Sequence, residues 1–190
     1  KQRTILSGNT FGAKFWTDGK REAPMLPDIV TVTICNNCDK YFWVDEANII
    51  DEVEPSEEKY SELEYLKDLT LERYIDALDE IEIRNEEDTF YLMLHIWWKY
   101  NDYFREDNQK ELSENIKKEV HSLLNKLLDI FDESNDNQLM MKGELLRELG
   151  QFAEAKKTLN KITTPEYSKA KKYIKDLVQK RISELRELKI

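Results

Sequence analysis

Apolar residues recur at helical spacing along most of the chain after residue 69. The stripe formed by Leu71, Tyr74 and Ile81 predicts a helix that begins at Thr70. The segment from about residue 87 to residue 105 is apolar around most of its circumference, so we predict a central helix with neighbours on at least two sides. A long amphipathic helix is predicted to follow, from about Gln109 to Phe131.

Two short antiparallel helices are predicted between Leu139 and Ile162, with Gly150 at the turn. Glycine can adopt the left-handed conformation that ends a helix, and the next helix then restarts with almost no loop. Large and small residues in this stretch occupy the positions that they have in a tetratricopeptide repeat, namely Leu139, Gly143, Leu146, Gly150, Phe152, Ala155 and Leu159. This resemblance implies close packing of the two helix backbones where the small residues meet.

Two more helices complete the predicted helical part. Ser56 is a suitable N-cap for a charged helix that runs to Leu66, and Pro165 suits the first turn of a terminal helix. The apolar positions of the terminal helix should cover the preceding hairpin, and they are Tyr167, Ala170, Tyr173, Ile174, Leu177, Ile182 and Leu185. We therefore predict a mainly α fold of about six or seven helices, arranged as tetratricopeptide-like hairpins with a polar-faced end.

The first 44 residues follow a different pattern. β-Branched and aromatic residues at 31–34 and 41–44 predict two strands, and the Asp-Gly pair at 18–19 predicts the turn of an earlier hairpin. An acidic stretch that ends in a proline follows these strands and predicts a linker. The predicted domains are a small β, zinc-ribbon-like segment at 1–44, a linker at 45–55 and an α-helical tetratricopeptide-like domain at 56–190.

Cys35 and Cys38 form a CxxC motif between the two predicted strands. Strand, CxxC and strand in succession are typical of a zinc knuckle, in which a tight turn directs two thiolates at one ion. A zinc ribbon needs two knuckles, and the other would have to precede Lys1. We therefore predict a half-site that binds Zn²⁺ only if upstream ligands are present. The alternatives are a reduced cysteine pair with a structural role and a redox-active or disulfide-bonded pair; a thioredoxin-like role is disfavoured because that motif opens a helix.

Charge is distributed unevenly along the chain, whose formal net charge is -10. Residues 45–136 carry 28 acidic and 10 basic side chains, whereas residues 137–190 carry 7 acidic and 13 basic ones. Such an acidic middle should repel a phosphate backbone, which makes nucleic acid an improbable partner for the whole surface. We expect the basic C-terminal third to lie against the acidic middle, and the alternative is contact with an anionic partner. No apolar run approaches the roughly 18 residues of a membrane span, so we expect no membrane association and a cytoplasmic location.

Polar and aromatic residues of the central helix are candidates for partner binding. Tyr91, His95 and Trp98 fall on one helical face with Asp102 and could line a groove for an extended peptide or a small ligand. The alternative is that His95 and Asp102 are partly buried and bonded to neighbouring helices. Because aromatic residues and arginines dominate interface energies, the predicted partner-binding residues are Tyr91, Trp98, Asn101, Asp102, Arg105 and Arg147.

Four stretches together resemble a group of uncharacterised bacterial proteins. They are SGNTFGAKFWTDGK and VTICNNCDKYFWV near the N-terminus, IWWKYND in the central helix and GELLRELGQFAEAKKTL in the predicted hairpin. The resemblance implies a zinc-ribbon-like start joined to a tetratricopeptide-like helical body. It implies no particular activity.

Our leading hypothesis for function is a non-catalytic protein-interaction module or adaptor, because stacked helical hairpins create a concave surface that suits a protein or peptide partner. The alternative from another class is a metal-dependent or redox enzyme, although the chain contains no glycine-rich phosphate loop and no HExxH motif. A third hypothesis is a nucleic-acid-associated regulator that uses the zinc-ribbon-like segment and the basic C-terminal third.

Overall fold

A computed structural model of the chain describes residues 1–2, 7–26, 28–53, 59–105 and 111–189. This part of the chain is mainly helical, with two small antiparallel hairpins near the N-terminus. The predicted mainly α class is therefore confirmed. The helices are α1 (Leu71–Glu80), α2 (Glu86–Asp102), α3 (Glu114–Ile130), α4 (Asp136–Glu148), α5 (Phe152–Lys161) and α6 (Ser168–Gln179), and the strands are β1 (Lys14–Phe15), β2 (Arg21–Glu22), β3 (Val32–Ile34) and β4 (Tyr41–Trp43).

Polar N-cap residues define the starts of the first four helices. Thr70, Asn85, Ser113 and Asn135 each accept a hydrogen bond from a backbone N–H group in the first turn of the helix that follows. These bonds satisfy donors that would otherwise have no partner within the helix. The predicted start at Thr70 is confirmed. The predicted start near Gln109 lies outside the described residues, and α3 begins at Glu114 after three non-helical residues, 111–113.

The predicted helical hairpin with Gly150 at its turn is also confirmed by α4 and α5. Gly150 has a φ of 75°, and the N–H group of Gln151 donates to the carbonyl of Leu146 at 2.8 Å. Gly143 faces α5, where a Cβ atom at residue 143 would lie 2.6 Å from Cδ2 of Leu159. The absence of a side chain at Gly143 therefore permits the close approach of the two helices.

The predicted helix from Ser56 to Leu66 is wrong for its described part, and Ser56 itself lies outside the described residues. Residues 59–66 form turns and irregular backbone. The terminal amine of Lys1 donates to the carbonyl of Glu64 at 2.7 Å, and the N–H group of Leu66 donates to the carbonyl of Lys1 at 2.8 Å. Backbone groups here bond to a distant part of the chain instead of to a helical turn.

The predicted terminal helix is too long. It begins with a 3₁₀ turn at Pro165–Tyr167 and α6 ends at Gln179, followed by a left-handed residue, Arg181, with a φ of 54°. Ile182 and Leu185 are therefore outside the helix. The chain turns back toward β1, where the N–H group of Leu188 donates to the carbonyl of Phe15 at 2.6 Å.

Both predicted N-terminal hairpins are present. β1 pairs with β2 around a turn at which Gly19 has a φ of 82°, and β3 pairs with β4 across the CxxC turn. Val32 and Trp43 are almost completely buried and belong to the same hydrophobic core as the helices. The first part of the predicted linker is also anchored, because Asp45 lies 3.1 Å from the guanidinium of Arg84.

α2 lies at the centre of the helical part, packed between α1 and α3. Leu92, Ile96 and Trp97 on this helix are completely buried. The prediction that the most apolar helix has neighbours on two sides is confirmed. Within the described residues, none of the helices combines the length and the apolar content needed to cross a membrane.

Candidate functional site

The face of α2 that was predicted to form a groove is covered by the N-terminal segment. The ring of Tyr91 meets the ring of Trp43 edge to face, with 5.9 Å between their centroids. The indole N–H group of Trp98 donates to the backbone carbonyl of Asp18 at 3.1 Å. The chain's own hairpins thus lie where an external peptide was predicted to bind.

His95 stacks on Tyr91 and meets Trp98 edge to face on this covered face. Its ring centroid lies 3.9 Å from that of Tyr91 and 5.1 Å from that of Trp98. Nδ1 of His95 lies 2.9 Å from the carbonyl oxygen of Tyr91. Burial lowers the pKa of His95, so the neutral ring predominates at pH 7. In the tautomer with hydrogen on Nδ1, the ring donates a hydrogen bond to that carbonyl.

Charged and polar side chains are buried where the β1–β2 turn meets α2 and α4. We define the buried polar cluster as Asp18, Asn101, Arg105, Glu144, Arg147 and Glu148. Both carboxylate oxygens of Asp18 accept hydrogen bonds from Arg105, and Asn101 Nδ2 donates to Asp18 Oδ2 at 2.9 Å. The guanidinium of Arg105 also lies 5.1 Å from the ring centroid of Trp16. These contacts fix the turn of the first hairpin against α2.

The α4 side of the buried polar cluster is centred on Arg147, which is completely buried. Its Nε and Nη2 atoms donate to the two carboxylate oxygens of Glu144, at 2.8 Å and 2.5 Å. Its Nη1 atom donates to the backbone carbonyls of Ile182 and Glu184, at 2.5 Å and 3.0 Å. Arg147 therefore binds the returning C-terminal segment to α4.

Glu148 connects the two sides of the buried polar cluster. Its Oε2 atom accepts hydrogen bonds from the indole of Trp97 at 2.7 Å and from Asn101 Nδ2 at 3.2 Å. Burial, together with the negative charges of Glu144 and Asp18, raises the pKa of Glu148 well above its ordinary value. Arg147 opposes this rise, because its Nη2 atom lies 3.9 Å from Oε1 of Glu148.

The structure brings the six predicted partner-binding residues to this covered region. Asn101, Arg105 and Arg147 are at most 3% exposed. Their polar groups bond within the protein, and an external partner does not reach them in this conformation. Asp102 is partly exposed and pairs with Lys20 at 2.6 Å, while the side chains of Tyr91 and Trp98 are half-buried.

Sequence reasoning missed Asp18, Glu144 and Glu148 as members of this cluster. It placed Asp18 in a turn and gave Glu144 and Glu148 no role. Trp97 and Asn101 on α2 and Arg105 just after it follow one another at intervals of four residues. This polar continuation of an apolar stripe was a signal that buried partners exist. Nothing in that spacing identifies which of the 39 acidic residues supply them.

The CxxC motif forms the turn between β3 and β4, as its flanking strands predicted. The N–H group of Cys35 donates to the carbonyl of Lys40 at 2.8 Å, and the N–H group of Asp39 donates to the carbonyl of Cys35 at 2.9 Å. Backbone N–H groups of Asn37 and Cys38 donate to the sulfur of Cys35 and lower the pKa of its thiol. Both thiols are free, and Cys38 is exposed.

A metal ion needs more ligands than this turn offers. In the part of the chain that the structure describes, no group of three or more His, Cys, Asp or Glu side chains converges on a point where a metal ion could bind. Cys35 and Cys38 together provide two thiolates, which is half of the ligand set of a tetrahedral zinc site.

An open groove of about 740 Å³ lies between α5 and α6. We define the basic groove by six of its lining residues, which are Phe152, Lys156, Lys171, Lys172, Lys175 and Arg181. Lys171 donates to the carbonyl of Ile162 at 2.8 Å, and the guanidinium of Arg181 lies 4.9 Å from the ring centroid of Phe152. Lys156 and Lys172 are exposed.

The expected contact between the basic C-terminal third and the acidic middle occurs at Glu133. The carboxylate of Glu133 pairs with Lys142 at 2.7 Å and with Lys161 at 2.6 Å. The five cations of the basic groove, by contrast, form no ion pair with any residue of the described ranges. Lys171 of the groove nevertheless helps to lower the pKa of Asp136, which belongs to the acidic middle. The expectation is therefore wrong for Lys156, Lys172 and Arg181, which are exposed and form no ion pair within the described residues.

Comparisons of the chain with family models, with curated proteins and with solved structures found no match in any of the three. The function must therefore be inferred from the geometry of these regions.

Proposed function

We propose that this protein is a non-catalytic interaction module, in which a tetratricopeptide-like helical array binds a segment of another protein in the basic groove. The helical hairpin of α4 and α5 supports the tetratricopeptide-like assignment, because Gly143 allows Leu159 to approach the α4 backbone closely. In such arrays the hairpins present extended surfaces to their partners.

The observation that carries this proposal is the contrast between filled and open surfaces. The polar groups along α2 and in the buried polar cluster bond to one another, and within the described residues no buried side-chain nitrogen or oxygen lacks a partner. The basic groove instead presents three exposed cationic side chains, Lys156, Lys172 and Arg181. Ionisable groups that are locked together in the interior support binding over catalysis, since a catalytic group must reach a substrate.

A selection of random peptides displayed on phage, carried out against the full chain, tests the proposal. We expect selected peptides to bind the Lys156→Glu, Lys172→Glu double variant about tenfold more weakly than the native chain, a loss of about 1.4 kcal/mol. The matched control is the Lys118→Glu, Lys126→Glu double variant, because both of these lysines are exposed on α3, which supplies no residue to the lining of the groove. Selected peptides that bind the native chain and both double variants equally would contradict binding in the groove.

We also infer that Cys35 and Cys38 are half of a structural zinc site. The supporting observation is the turn itself, in which backbone N–H groups of Asn37 and Cys38 point at the sulfur of Cys35. This arrangement stabilises thiolates around a cation before the cation arrives. The chain contains no other cysteine, so the remaining thiolates of a four-cysteine site would come from a second copy or from another polypeptide segment.

Zinc content and molecular mass, measured on protein purified without chelator, test this second proposal. One zinc per two chains, lost in the Cys38→Ser variant, would identify a second copy as the source of the missing ligands. Zinc that binds only after a separate CxxC peptide is added would identify another segment. Protein that binds no zinc under either condition would contradict the proposal.

A further inference from the structure

We propose that the segment bound in the basic groove is acidic and also carries apolar side chains. This inference rests on the proposed function, since it specifies the chemistry of the partner at the same site. The groove lies at the end of the helical array, between α5 and the helix α6 that packs on it.

The side chains that line the groove are mainly positively charged. Four lysines and one arginine line it, and Asp176 is the acidic residue among the lining side chains. None of the five cations forms an ion pair with a carboxylate in the residues that the structure describes, although the charge of Lys171 helps to lower the pKa of Asp136. Lys175 donates to the side-chain oxygen of Asn160 at 2.8 Å, which is a neutral partner and leaves the charge uncompensated. A group of like charges held this close together attracts an anionic partner and disfavours a cationic one.

The groove also contains apolar side chains. Phe152 is half-buried, and its ring carries the guanidinium of Arg181 on one face. The side chains of Ala153 and Val178 continue the apolar surface beside it. A simple anion would gain nothing from this surface, whereas a peptide with apolar side chains between its carboxylates could use both features.

The charge of the whole molecule distinguishes a peptide from a nucleic acid. The chain has a formal net charge of -10, and residues 45–136 carry most of the excess negative charge. A duplex extends far beyond a groove of about 740 Å³ and would bring further phosphates near acidic surface. A short acidic segment can place its charges in the groove alone, so the observations favour a protein segment.

The test measures binding of fluorescein-labelled peptides to the full chain by fluorescence anisotropy at low salt. The probe alternates glutamate or aspartate with leucine. One control peptide replaces each acidic residue with lysine, and another replaces each leucine with serine. We expect the probe to bind, the lysine peptide not to bind, and the serine peptide to bind about tenfold more weakly. Binding of the probe should weaken as salt is added, because ions screen the exposed charges.

The two double variants then locate the site. We expect the Lys156→Glu, Lys172→Glu chain to lose at least about tenfold in affinity for the probe and the Lys118→Glu, Lys126→Glu chain to lose little, although both carry the same change in net charge. An equal loss in both variants, or equal binding of the leucine and serine peptides, would overturn the inference. A labelled duplex oligonucleotide that binds more tightly than the probe, with the same dependence on Lys156 and Lys172, would also overturn it.

Failure of this inference can be distinguished from failure of the proposed function. If phage selection yields peptides that depend on Lys156 and Lys172 but carry no acidic residues, the groove binds protein segments and the acidic specificity is wrong. If neither selected peptides nor the probe depend on these lysines, both the inference and the proposed function are wrong.

Discussion

The covered face of α2 and the basic groove contain similar side chains, yet the protein uses them in opposite ways. In the first region Arg105 lies against the ring of Trp16 and is 2% exposed, with Asp18 as its buried partner. In the second region Arg181 lies against the ring of Phe152 and is exposed, with no carboxylate partner among the described residues. A basic residue beside an aromatic ring is thus a structural contact in one region and a candidate contact for a partner in the other.

The cost of removing a charge from water explains this difference. A buried guanidinium without a carboxylate would destabilise the fold, so the first hairpin and α4 supply carboxylates to the buried polar cluster. An exposed lysine keeps its hydration and needs no partner for the protein to fold. Substitutions should therefore change stability strongly in the first region and weakly in the second.

The largest effect is expected from Asp18→Ala. Removal of this carboxylate leaves the buried Arg105 with Asp102, at 2.8 Å from its Nε atom, as its remaining carboxylate partner among the described residues. Breaking a buried ion pair from one side costs up to about 3–5 kcal/mol of unfolding free energy. Urea unfolding followed by tryptophan fluorescence measures the change. The control is Asp129→Ala, which removes an exposed carboxylate from α3; a similar loss in both variants would mean that the buried cluster does not stabilise the protein specifically.

The next effect is expected from Gly143→Ala in α4, the helix that joins the two regions. Alanine normally stabilises a helix relative to glycine, by about 1 kcal/mol. Here the new methyl group would lie 2.6 Å from Leu159 Cδ2, so we expect the unfolding free energy to fall by about 1–3 kcal/mol instead. Combining this change with Leu159→Ala should cost less than the sum of the two single changes. Additive costs would show that the two residues are not in such close contact.

A pH-dependent effect is expected from Glu148→Gln. The folded protein holds the Glu148 proton above the ordinary glutamate pKa of about 4.5, at which the unfolded chain releases it. The folded state then binds more protons than the unfolded state, so this group lowers the unfolding free energy as the pH rises above about 4.5. Glutamine cannot ionise, and the variant should gain stability relative to the native chain as the pH is raised. Glu119→Gln, an exposed change on α3, should show no such trend, and a parallel trend in both variants would contradict the assignment of the proton to Glu148.

The smallest effect on stability is expected in the basic groove. Lys156→Ala and Lys172→Ala remove exposed charges that have no partner among the described residues, so each should change the unfolding free energy by no more than about 0.5 kcal/mol. The same urea unfolding measurement applies. A loss of more than 1 kcal/mol, on the order of a buried contact, would mean that these lysines stabilise the fold and are not reserved for a partner.

Most of the local structure could be predicted from the sequence because short-range chemistry decides it. The N-cap at Thr70, the left-handed turn at Gly150 and the strands on either side of the CxxC motif all depend on residues close in sequence. The incorrect predictions occurred where distant segments compete for backbone groups. Residues 59–66 bond to Lys1, and the chain after Gln179 turns back to β1.

The candidate sites show the same difference between features set by nearby residues and features set by distant segments. The CxxC turn is local, and its geometry followed from the flanking strands. The face of α2 that was predicted to form an open groove is covered, because its apolar and polar side chains contact the chain's own N-terminal hairpins. Among the described residues, the cations of the basic groove form no ion pair. This could not be predicted, since sequence alone does not show which lysines lie beside a carboxylate.

The sequence by itself therefore determined the mainly helical class, the helical hairpin around Gly150, the two N-terminal hairpins and the position of the cysteine pair, since all of these depend on hydrophobic periodicity, caps and turns. Only the tertiary structure decided that Asp18 and Glu148 join Arg105 and Arg147 in the interior and that Lys156 and Lys172 face solvent without an ion pair among the described residues. The physical reason is that the cost of burying a charge depends on its neighbours in space, and those neighbours come from segments far apart in the chain.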